Sequence, residues 1–162
     1  MSRAGTFRDF AHELDRGGAQ RVLVIDEHDL IASGLRLALS GAGREVHAIT
    51  GPAPSDVVAY AQGFEPQCVL MDICVGPALG STMDLIGPLS STGAQVVMLT
   101  SERRRPKLAE CVHAGASGWI DRGAPLGEIH SILGRVLEGE LLLPLADRAA
   151  LLAELRCHRA DS

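Results

Sequence analysis

The sequence predicts an α/β protein with a doubly wound, five-stranded parallel sheet and helices on both of its faces. Short apolar runs alternate with longer segments of helical periodicity along the chain. Several of these runs are apolar almost throughout, which is typical of parallel strands that are buried on both faces. Strands that alternate with helices in this way form right-handed βαβ units, and such units build a parallel sheet.

The predicted elements follow one another at regular intervals. The strands are expected at 21–25, 45–49, 68–71, 95–99 and 118–120, of which the second is the weakest. The helices are expected at 29–40, 54–62, 83–89, 106–114 and 125–137. Gly41 ends the first helix, and Pro54 opens the second. Gly115 and Gly139 end the fourth and the fifth, and the Gly- and Pro-rich segment 74–82 is expected to be a loop.

Two further helices are predicted outside this unit. The first, at 6–15, is amphipathic, and its apolar face consists of Phe7, Phe10, Ala11 and Leu14. The second, at 145–157, follows Pro144; it is compatible with packing on its own domain, pairing with a second copy, or leading into an output domain. We therefore expect an N-terminal extension at 1–20, a central domain at 21–139 and a C-terminal linker helix at 140–162.

The composition is that of one folded domain with a small addition. The chain has 162 residues, of which 46% are hydrophobic and 22% charged. A net charge of −5 argues against a nucleic-acid-binding surface spread over the whole chain. No apolar stretch reaches membrane-spanning length, and the N-terminus lacks the apolar core of a signal peptide. The four cysteines show no CxxC pairing, so we expect a reduced, cytoplasmic protein in which Cys68 and Cys111 are small buried apolar groups.

Carboxylates follow two of the predicted strands. Asp26 and Glu27 come directly after the first strand, and Asp72 comes directly after the third. The expected strand order is 2-1-3-4-5, the flavodoxin-like arrangement, whose switch point lies between strands one and three. Ligands bind open α/β sheets at the carboxyl ends of the strands. Three carboxylates gathered there would repel one another unless a cation joined them, and Mg²⁺ is a hard cation that takes oxygen ligands.

Two more polar residues are expected at the same edge, where the strands have their carboxyl ends and which we call the rim. They are Thr100 after strand four and Arg122 after strand five. With the three acids, they make the chain resemble the receiver domain of bacterial two-component response regulators over 21–139. The resemblance lies in four stretches that occur in order, each at a strand end: VLVIDEH at 22–28, VLMDI at 69–73, VVMLTS at 96–101 and AGASGWI at 114–120. The segment 134–142 looks most like the subfamily that carries a C-terminal helix-turn-helix of the LuxR/NarL type.

The resemblance implies a phosphorylation site. Asp72 corresponds to the phosphoacceptor, whose carboxylate attacks a phosphoryl group as a covalent nucleophile. Mg²⁺ would be held by Asp26 or Glu27, by Asp72 and by the backbone carbonyl of Cys74, and it would neutralise the phosphoryl oxygens.

The remaining rim residues take further roles by the same resemblance. Thr100 would hydrogen-bond a phosphoryl oxygen and move toward it, and Trp119 lies where the family has an aromatic switch residue. Arg122 stands where the family usually has Lys; a guanidinium is also a cation and grips phosphate bidentately. Cys74 and Glu102 occupy places that tune how fast water removes the phosphoryl group.

The resemblance also implies partners. The phosphodonor would be a sensor histidine kinase, and the switched surface would serve a homodimer or another partner, with transcriptional control as the output. The expected helix-turn-helix needs more residues than follow Gly139, so we expect no direct nucleic-acid binding by this chain as given.

Two departures from the family pattern leave a second function open. Arg122 replaces the usual Lys, and Val75-Gly76 replaces the usual Met-Pro after the phosphoacceptor. An atypical receiver that acts as a phosphorylation-independent interaction module is the alternative. An aspartyl-phosphate hydrolase of the dehalogenase type is disfavoured, because Cys74 stands where such enzymes have a second Asp. Arg122 is also compatible with a surface salt bridge, and Trp119 with an ordinary core position.

Overall fold

A single parallel sheet organises the protein. The computed structural model describes residues 19–41, 43–50, 54–73 and 82–161. Within these ranges the strand order is β2-β1-β3-β4-β5, which confirms the predicted topology. The strands are β1 (Gln20–Ile25), β2 (Arg44–Ile49), β3 (Cys68–Met71), β4 (Gln95–Thr100) and β5 (Gly118–Asp121). The helix expected at 6–15 and Cys74 with nearly all of its loop lie outside the described residues.

The described part of the chain also contains the six helices expected there. They are α1 (Asp29–Leu39), α2 (Pro54–Phe64), α3 (Thr82–Ser90), α4 (Arg105–Ala114), α5 (Leu126–Leu137) and α6 (Leu145–Ala160). The largest difference from the prediction is at the end of α6, which continues three residues beyond Cys157. Its last turn carries His158 and Arg159, whose positive charge is favourable at the negative end of the helix dipole. Because these residues are not apolar, the hydrophobic periodicity does not predict this turn.

Both faces of the sheet are covered by helices. The first face is packed by α2, α3 and α4, whose buried residues include Val57, Ala61, Leu85, Ile86, Leu89 and Leu108. The second face is packed by α1 and α5, whose buried residues include Leu39, Ile129, Leu133 and Val136. All four residues of β3 are buried. This burial on two sides explains why the strand sequences are almost continuously apolar.

The register of β1 against β3 sets the position of the acids. Ile25 pairs with Met71 in this parallel ladder, and each is the last residue of its strand. Asp26 and Asp72 are the next residues along the chain, so they leave the sheet at the same level on neighbouring strands. The switch point therefore lies where the sequence pattern predicts it.

The last helix packs on its own domain, which is the first of the three arrangements that its sequence allowed. An apolar cluster joins α6 to α4 through Ala109, Val112, Leu151 and Leu155. The Arg105 guanidinium donates from Nε and Nη2 to the two carboxylate oxygens of Glu154, at 2.7 and 3.0 Å. Arg148 donates to the carbonyl oxygens of Val112 and Ala116 at 3.3 and 3.2 Å.

The cysteines among the described residues are free thiols. Cys68 and Cys111 are buried, whereas Cys157 is exposed. Burial raises the pKa of the Cys68 thiol to about 12 and that of the Cys111 thiol to about 11. Both thiols therefore stay protonated at neutral pH and pack as small apolar groups, as expected.

None of the helices in the described ranges has both the length and the apolar character needed to cross a membrane.

The docking of α6 predicts a difference between two leucines of the same helix. Leu151 is 1% exposed and Leu145 is 70% exposed. We expect Leu151→Ala to lower the free energy of unfolding by roughly 2–5 kcal/mol, because it opens a cavity between α4 and α6. Leu145→Ala, the matched control, should change it by less than about 0.5 kcal/mol. Urea unfolding measures both, and equal effects would contradict the packing described.

The raised thiol pKa values predict selective alkylation. In the folded protein at mildly alkaline pH, iodoacetamide should modify Cys157 and leave Cys68 and Cys111 unmodified, because only a thiolate at an accessible position reacts. Peptide mass spectrometry identifies the modified residues, and unfolding in denaturant should make all three reactive. Modification of Cys68 as fast as Cys157 in the folded protein would show that this burial is wrong.

Candidate functional site

Four of the predicted site residues meet at the carboxyl ends of the strands. Asp26 follows β1, Asp72 follows β3, Thr100 ends β4 and Arg122 follows β5. Asp26 and Thr100 are each 4% exposed, which is unusual for polar residues. Asp72 keeps 12% of its side chain accessible to solvent. The polar side chains of Asp26 and Thr100 at the rim are therefore buried, whereas the carboxylate of Asp72 is partly accessible to solvent.

The Arg122 guanidinium joins the two aspartates. Its Nη1 donates to Oδ2 of Asp72, and its Nη2 lies 3.4 Å from Oδ2 of Asp26. The backbone N–H of Arg122 donates to the carbonyl of Thr100 at 3.0 Å, which extends the pairing of β4 with β5. From that anchor the side chain reaches past β4 to the acids on β3 and β1. Arg122 thus pairs with the buried carboxylate of Asp26 and the partly exposed carboxylate of Asp72, and its own side chain is 27% accessible.

Asp26 has a second set of partners that the sequence did not identify in detail. The backbone N–H and the Nδ1 atom of His28 lie 2.9 and 3.0 Å from Oδ1 of Asp26. The turn after β1 therefore holds the carboxylate of Asp26 through Oδ1, while Arg122 contacts Oδ2. An Asp side chain often accepts a hydrogen bond from the backbone N–H two residues later in a turn. The presence of Asp26 directly after a strand was therefore the signal in the sequence for this contact. Glu27, between them, is exposed.

A cleft of about 390 Å³ opens beside Asp72. It is lined by His28, Asp72, Ile73, Thr100, Ser101, Glu102, Arg103 and Arg122. The hydroxyl oxygen of Thr100 accepts the backbone N–H of Glu102 at 3.0 Å, which fixes the start of the loop after β4. The cleft thus offers a carboxylate, a hydroxyl and a guanidinium to a small anionic group. A larger cleft of about 490 Å³ lies at the opposite end of the sheet and contains none of these residues.

Glu102 is held by its neighbour Arg104. Its carboxylate oxygens accept hydrogen bonds from Nε and Nη2 of Arg104 at 2.8 and 3.0 Å, and from the Arg104 backbone N–H at 3.0 Å. These bonds lower the pKa of Glu102 to about 2. Glu102 is therefore ionised at any ordinary pH and forms an ion pair with Arg104.

Trp119 lies between the site and α6. It is half-buried and packs against both the core under α4 and the apolar cluster that joins α4 to α6. A smaller cavity of about 200 Å³ is lined by Thr100 and Trp119 together with residues of the loop after β4. Trp119 is thus a core residue that also borders the space next to Thr100.

The described residues match Mg²⁺ by their donor type but do not form a complete metal cluster. Asp26 and Asp72 present carboxylate oxygens at one place, and oxygen is the donor that Mg²⁺ prefers. No group of three or more His, Cys, Asp or Glu side chains among residues 19–41, 43–50, 54–73 and 82–161 is arranged around a common metal position. Cys74, whose carbonyl was the third expected ligand, lies outside those residues.

Relatives of known identity match the chain in sequence. The response regulator GacA of Pseudomonas aeruginosa is 31% identical over 125 residues, which cover 74% of this chain and 56% of GacA. The response regulator UvrY of Escherichia coli is 28% identical over 120 residues, which cover 74% of this chain and 55% of UvrY. The chain therefore spans about half the length of these two relatives.

A solved structure matches in fold. A two-component response regulator of the LuxR family from Aurantimonas sp. SI85-9A1 superposes with a TM-score of 0.67 and 19% identity, covering 86% of this chain and 99% of that one. The model of the response regulator receiver domain family matches residues 22–133, which run from the third residue of β1 through most of α5. The chain belongs to the response regulator receiver domain family of two-component systems.

Proposed function

We propose that this receiver accepts a phosphoryl group on Asp72 from a sensor histidine kinase. The observation that carries the proposal is the convergence of Arg122, Thr100 and Asp72 on one cleft, in which Asp72 is the partly open carboxylate. A phosphoryl group carries negative charge on its oxygens. The guanidinium and the hydroxyl in this cleft can donate hydrogen bonds to those oxygens and stabilise that charge.

The transfer is a displacement at phosphorus. A carboxylate oxygen of Asp72 forms a bond to phosphorus while the P–N bond of the donor phosphohistidine breaks, and the electron pair leaves with the imidazole nitrogen. The Arg122 guanidinium, already bonded to Asp72, grips the phosphoryl oxygens, and the Thr100 hydroxyl donates to one of them. Asp26 or Glu27, Asp72 and the backbone carbonyl of Cys74 would hold Mg²⁺, which would supply further charge neutralisation.

The switched surface is proposed to be the one formed by β5, α4 and α6. Thr100 and Trp119 border the same cavity, so a displacement of the Thr100 side chain changes the space available to the indole. Trp119 in turn packs against the apolar cluster of α4 and α6. A homodimer or another partner protein would respond to the change in this surface.

The proposed domain division is the one that the sequence predicts. We propose that the receiver unit extends over 21–139, that 1–20 is an extension, and that 140–162 is an appended helix that rests on α4. The support is the extent of the family match at 22–133 and the contact of α6 with α4. Transcriptional control in the cytoplasm is the proposed setting; it is supported by the resemblance of 134–142 to the LuxR/NarL-type subfamily and by the absence of CxxC pairing among the cysteines.

One observation favours a second candidate function, that of a phosphorylation-independent interaction module. The carboxylates of Asp26 and Asp72 are already paired with a cation from the chain itself. The single guanidinium offsets one of the two negative charges, and it contacts both acids without any phosphate. The two candidate functions differ in one respect that can be measured: only the first requires that Asp72 becomes phosphorylated.

The phosphoacceptor is tested with a small phosphodonor and Mg²⁺. Intact-protein mass spectrometry should show a gain of one HPO₃, which Asp72→Asn abolishes because the nucleophilic carboxylate is gone. Asp121→Asn is the matched control: this carboxylate lies at the end of β5, pairs with Arg103 at 3.1 Å and is 48% accessible. It should retain the gain. Absence of any gain in the natural sequence would favour the interaction module.

The switch is tested through the single tryptophan of the chain. Phosphorylation should change the fluorescence of Trp119, because its surroundings respond to Thr100. In Thr100→Ala the mass gain should persist while the fluorescence change is largely lost. The reason is that this variant lacks the hydroxyl that would move toward the phosphoryl group and hydrogen-bond one of its oxygens. An undiminished fluorescence change in Thr100→Ala would separate Trp119 from Thr100 and refute this coupling.

A further inference from the structure

We propose that the N-terminal segment 6–15 docks as an amphipathic helix on an exposed apolar stripe of α1. The stripe consists of Leu30, Gly34 and Leu37, which lie on the solvent side of that helix. Its occupant is thus a part of the same chain, joined to the sheet at the start of β1. The stripe contains none of the residues that line the phosphorylation cleft, so its role does not depend on the proposed phosphoacceptor.

The stripe on α1 is both apolar and accessible. Leu30 and Leu37 are 86% and 68% exposed, and Ile31 beside them is also exposed. The residues of the stripe follow the i, i+4, i+7 spacing that places side chains on one face of a helix. The opposite face of α1 is already in use, because Leu39 is buried in the core beneath it. Contiguous exposed apolar side chains of this kind mark a surface that another apolar element covers.

The N-terminal segment carries an apolar face of the same length. Its apolar residues follow the i, i+3, i+4, i+7 spacing, and they are Phe7, Phe10, Ala11 and Leu14. The face spans seven positions, as does the stripe from Leu30 to Leu37, so each is about 10 Å long at the rise of an α-helix. A Cβ atom built on Gly34 would meet no atom within 4 Å. The middle of the stripe therefore has room for an aromatic ring close to the backbone of α1.

The chain enters the sheet next to the end of α1. The backbone N–H of Gln20 donates to the carbonyl of Gly43 at 2.8 Å, in the connection between α1 and β2. Only a short run, Arg-Gly-Gly, separates the expected helix from Ala19, the first described residue. The four Cα steps from Asp15 to Ala19 span at most about 14 Å, and the axes of packed helices lie about 8–10 Å apart. The segment is therefore tethered within reach of the last turn of α1.

The entry point also selects the orientation of the docked segment. α1 begins directly after His28 at the rim and runs toward the opposite end of the sheet, where β1 starts. The segment must end near that same end, so the two helices are parallel when it docks. Leu14 then lies opposite Leu37, and Phe7 lies opposite Leu30.

Charged residues beside the two apolar faces agree with this orientation. Asp29 and Arg36 flank one side of the stripe and are exposed. Parallel packing turns Arg8 toward Asp29 and Asp15 toward Arg36, so opposite charges meet. The reversed orientation would turn the other side of the segment to α1 and would bring Glu13 beside Asp29. Such exposed charges add little affinity, but like charges that face each other disfavour the wrong orientation.

The test is disulfide formation in the full chain, in a background of Cys74→Ser and Cys157→Ser. Four cysteine pairs are compared, each with one cysteine on the segment and one on the stripe. Under mild oxidation, Leu14→Cys with Leu37→Cys and Phe7→Cys with Leu30→Cys should form an intramolecular disulfide roughly tenfold faster than the crossed pairs, because only docked partners lie within disulfide distance. Alkylation of the remaining thiols stops the reaction, and peptide mass spectrometry identifies the linked residues.

The crossed pairs, Leu14→Cys with Leu30→Cys and Phe7→Cys with Leu37→Cys, are the matched controls. They use the same four positions, so they have the same intrinsic thiol reactivity. A tail that does not dock would favour Leu37, the position nearer the tether, in both combinations, and that result overturns the proposal. Equal rates for all four pairs also overturn it. Disulfide-linked dimers as the main product would assign the stripe to a second copy of the chain and refute docking of the segment on its own α1.

Binding of the dye ANS gives a second readout that needs no cysteine. Phe10→Asp should raise ANS fluorescence several-fold, because a charge in the apolar face opposes docking and leaves the stripe open. His12→Asp, the matched control, puts the same carboxylate on the polar side of the segment and should leave the fluorescence unchanged. Adding Leu37→Ser to Phe10→Asp should return the signal toward that of the natural sequence. Equal fluorescence of Phe10→Asp and His12→Asp would overturn the docking.

Discussion

The pairing of Asp26 and Asp72 with Arg122 is the interaction on which the rim of this receiver depends. The parallel register of β1 and β3 brings two carboxylates to the same level at the end of the sheet. That placement is unfavourable unless a positive charge lies between them. Arg122 supplies this charge from the far side of β4, and so it ties together three separate parts of the chain.

The face formed by α4 and β5 has a second constraint, because α6 covers it. The contact combines an apolar cluster with the ion pair of Arg105 and Glu154 and with the bonds from Arg148 to the carbonyls at the end of α4. Trp119 touches both this cluster and the core beneath α4. Trp119 therefore connects the space next to Thr100 with the contact between α4 and α6.

Most of the fold was predictable because its signals are local. Burial on two faces makes β3 apolar throughout, together with 22–25 of β1 and 96–99 of β4, and glycines such as Gly115 and Gly139 end helices by adopting positive φ. The positions of Asp26, Asp72 and Thr100 follow from the ends of these strands and from the order of a doubly wound sheet. The end of α6 was missed by three residues, because its last turn is solvated and carries no apolar pattern.

The sequence by itself determined the elements, their order and the set of polar residues at the sheet rim, since periodicity and turn residues act over a few positions. Tertiary structure alone decided how those residues are paired. Whether Arg122 faces solvent or pairs with Asp26 and Asp72, and whether α6 packs against α4, both depend on contacts between distant segments. Such contacts arise when packed elements bring charges and apolar faces together, and no local pattern in the chain records which partner each will meet.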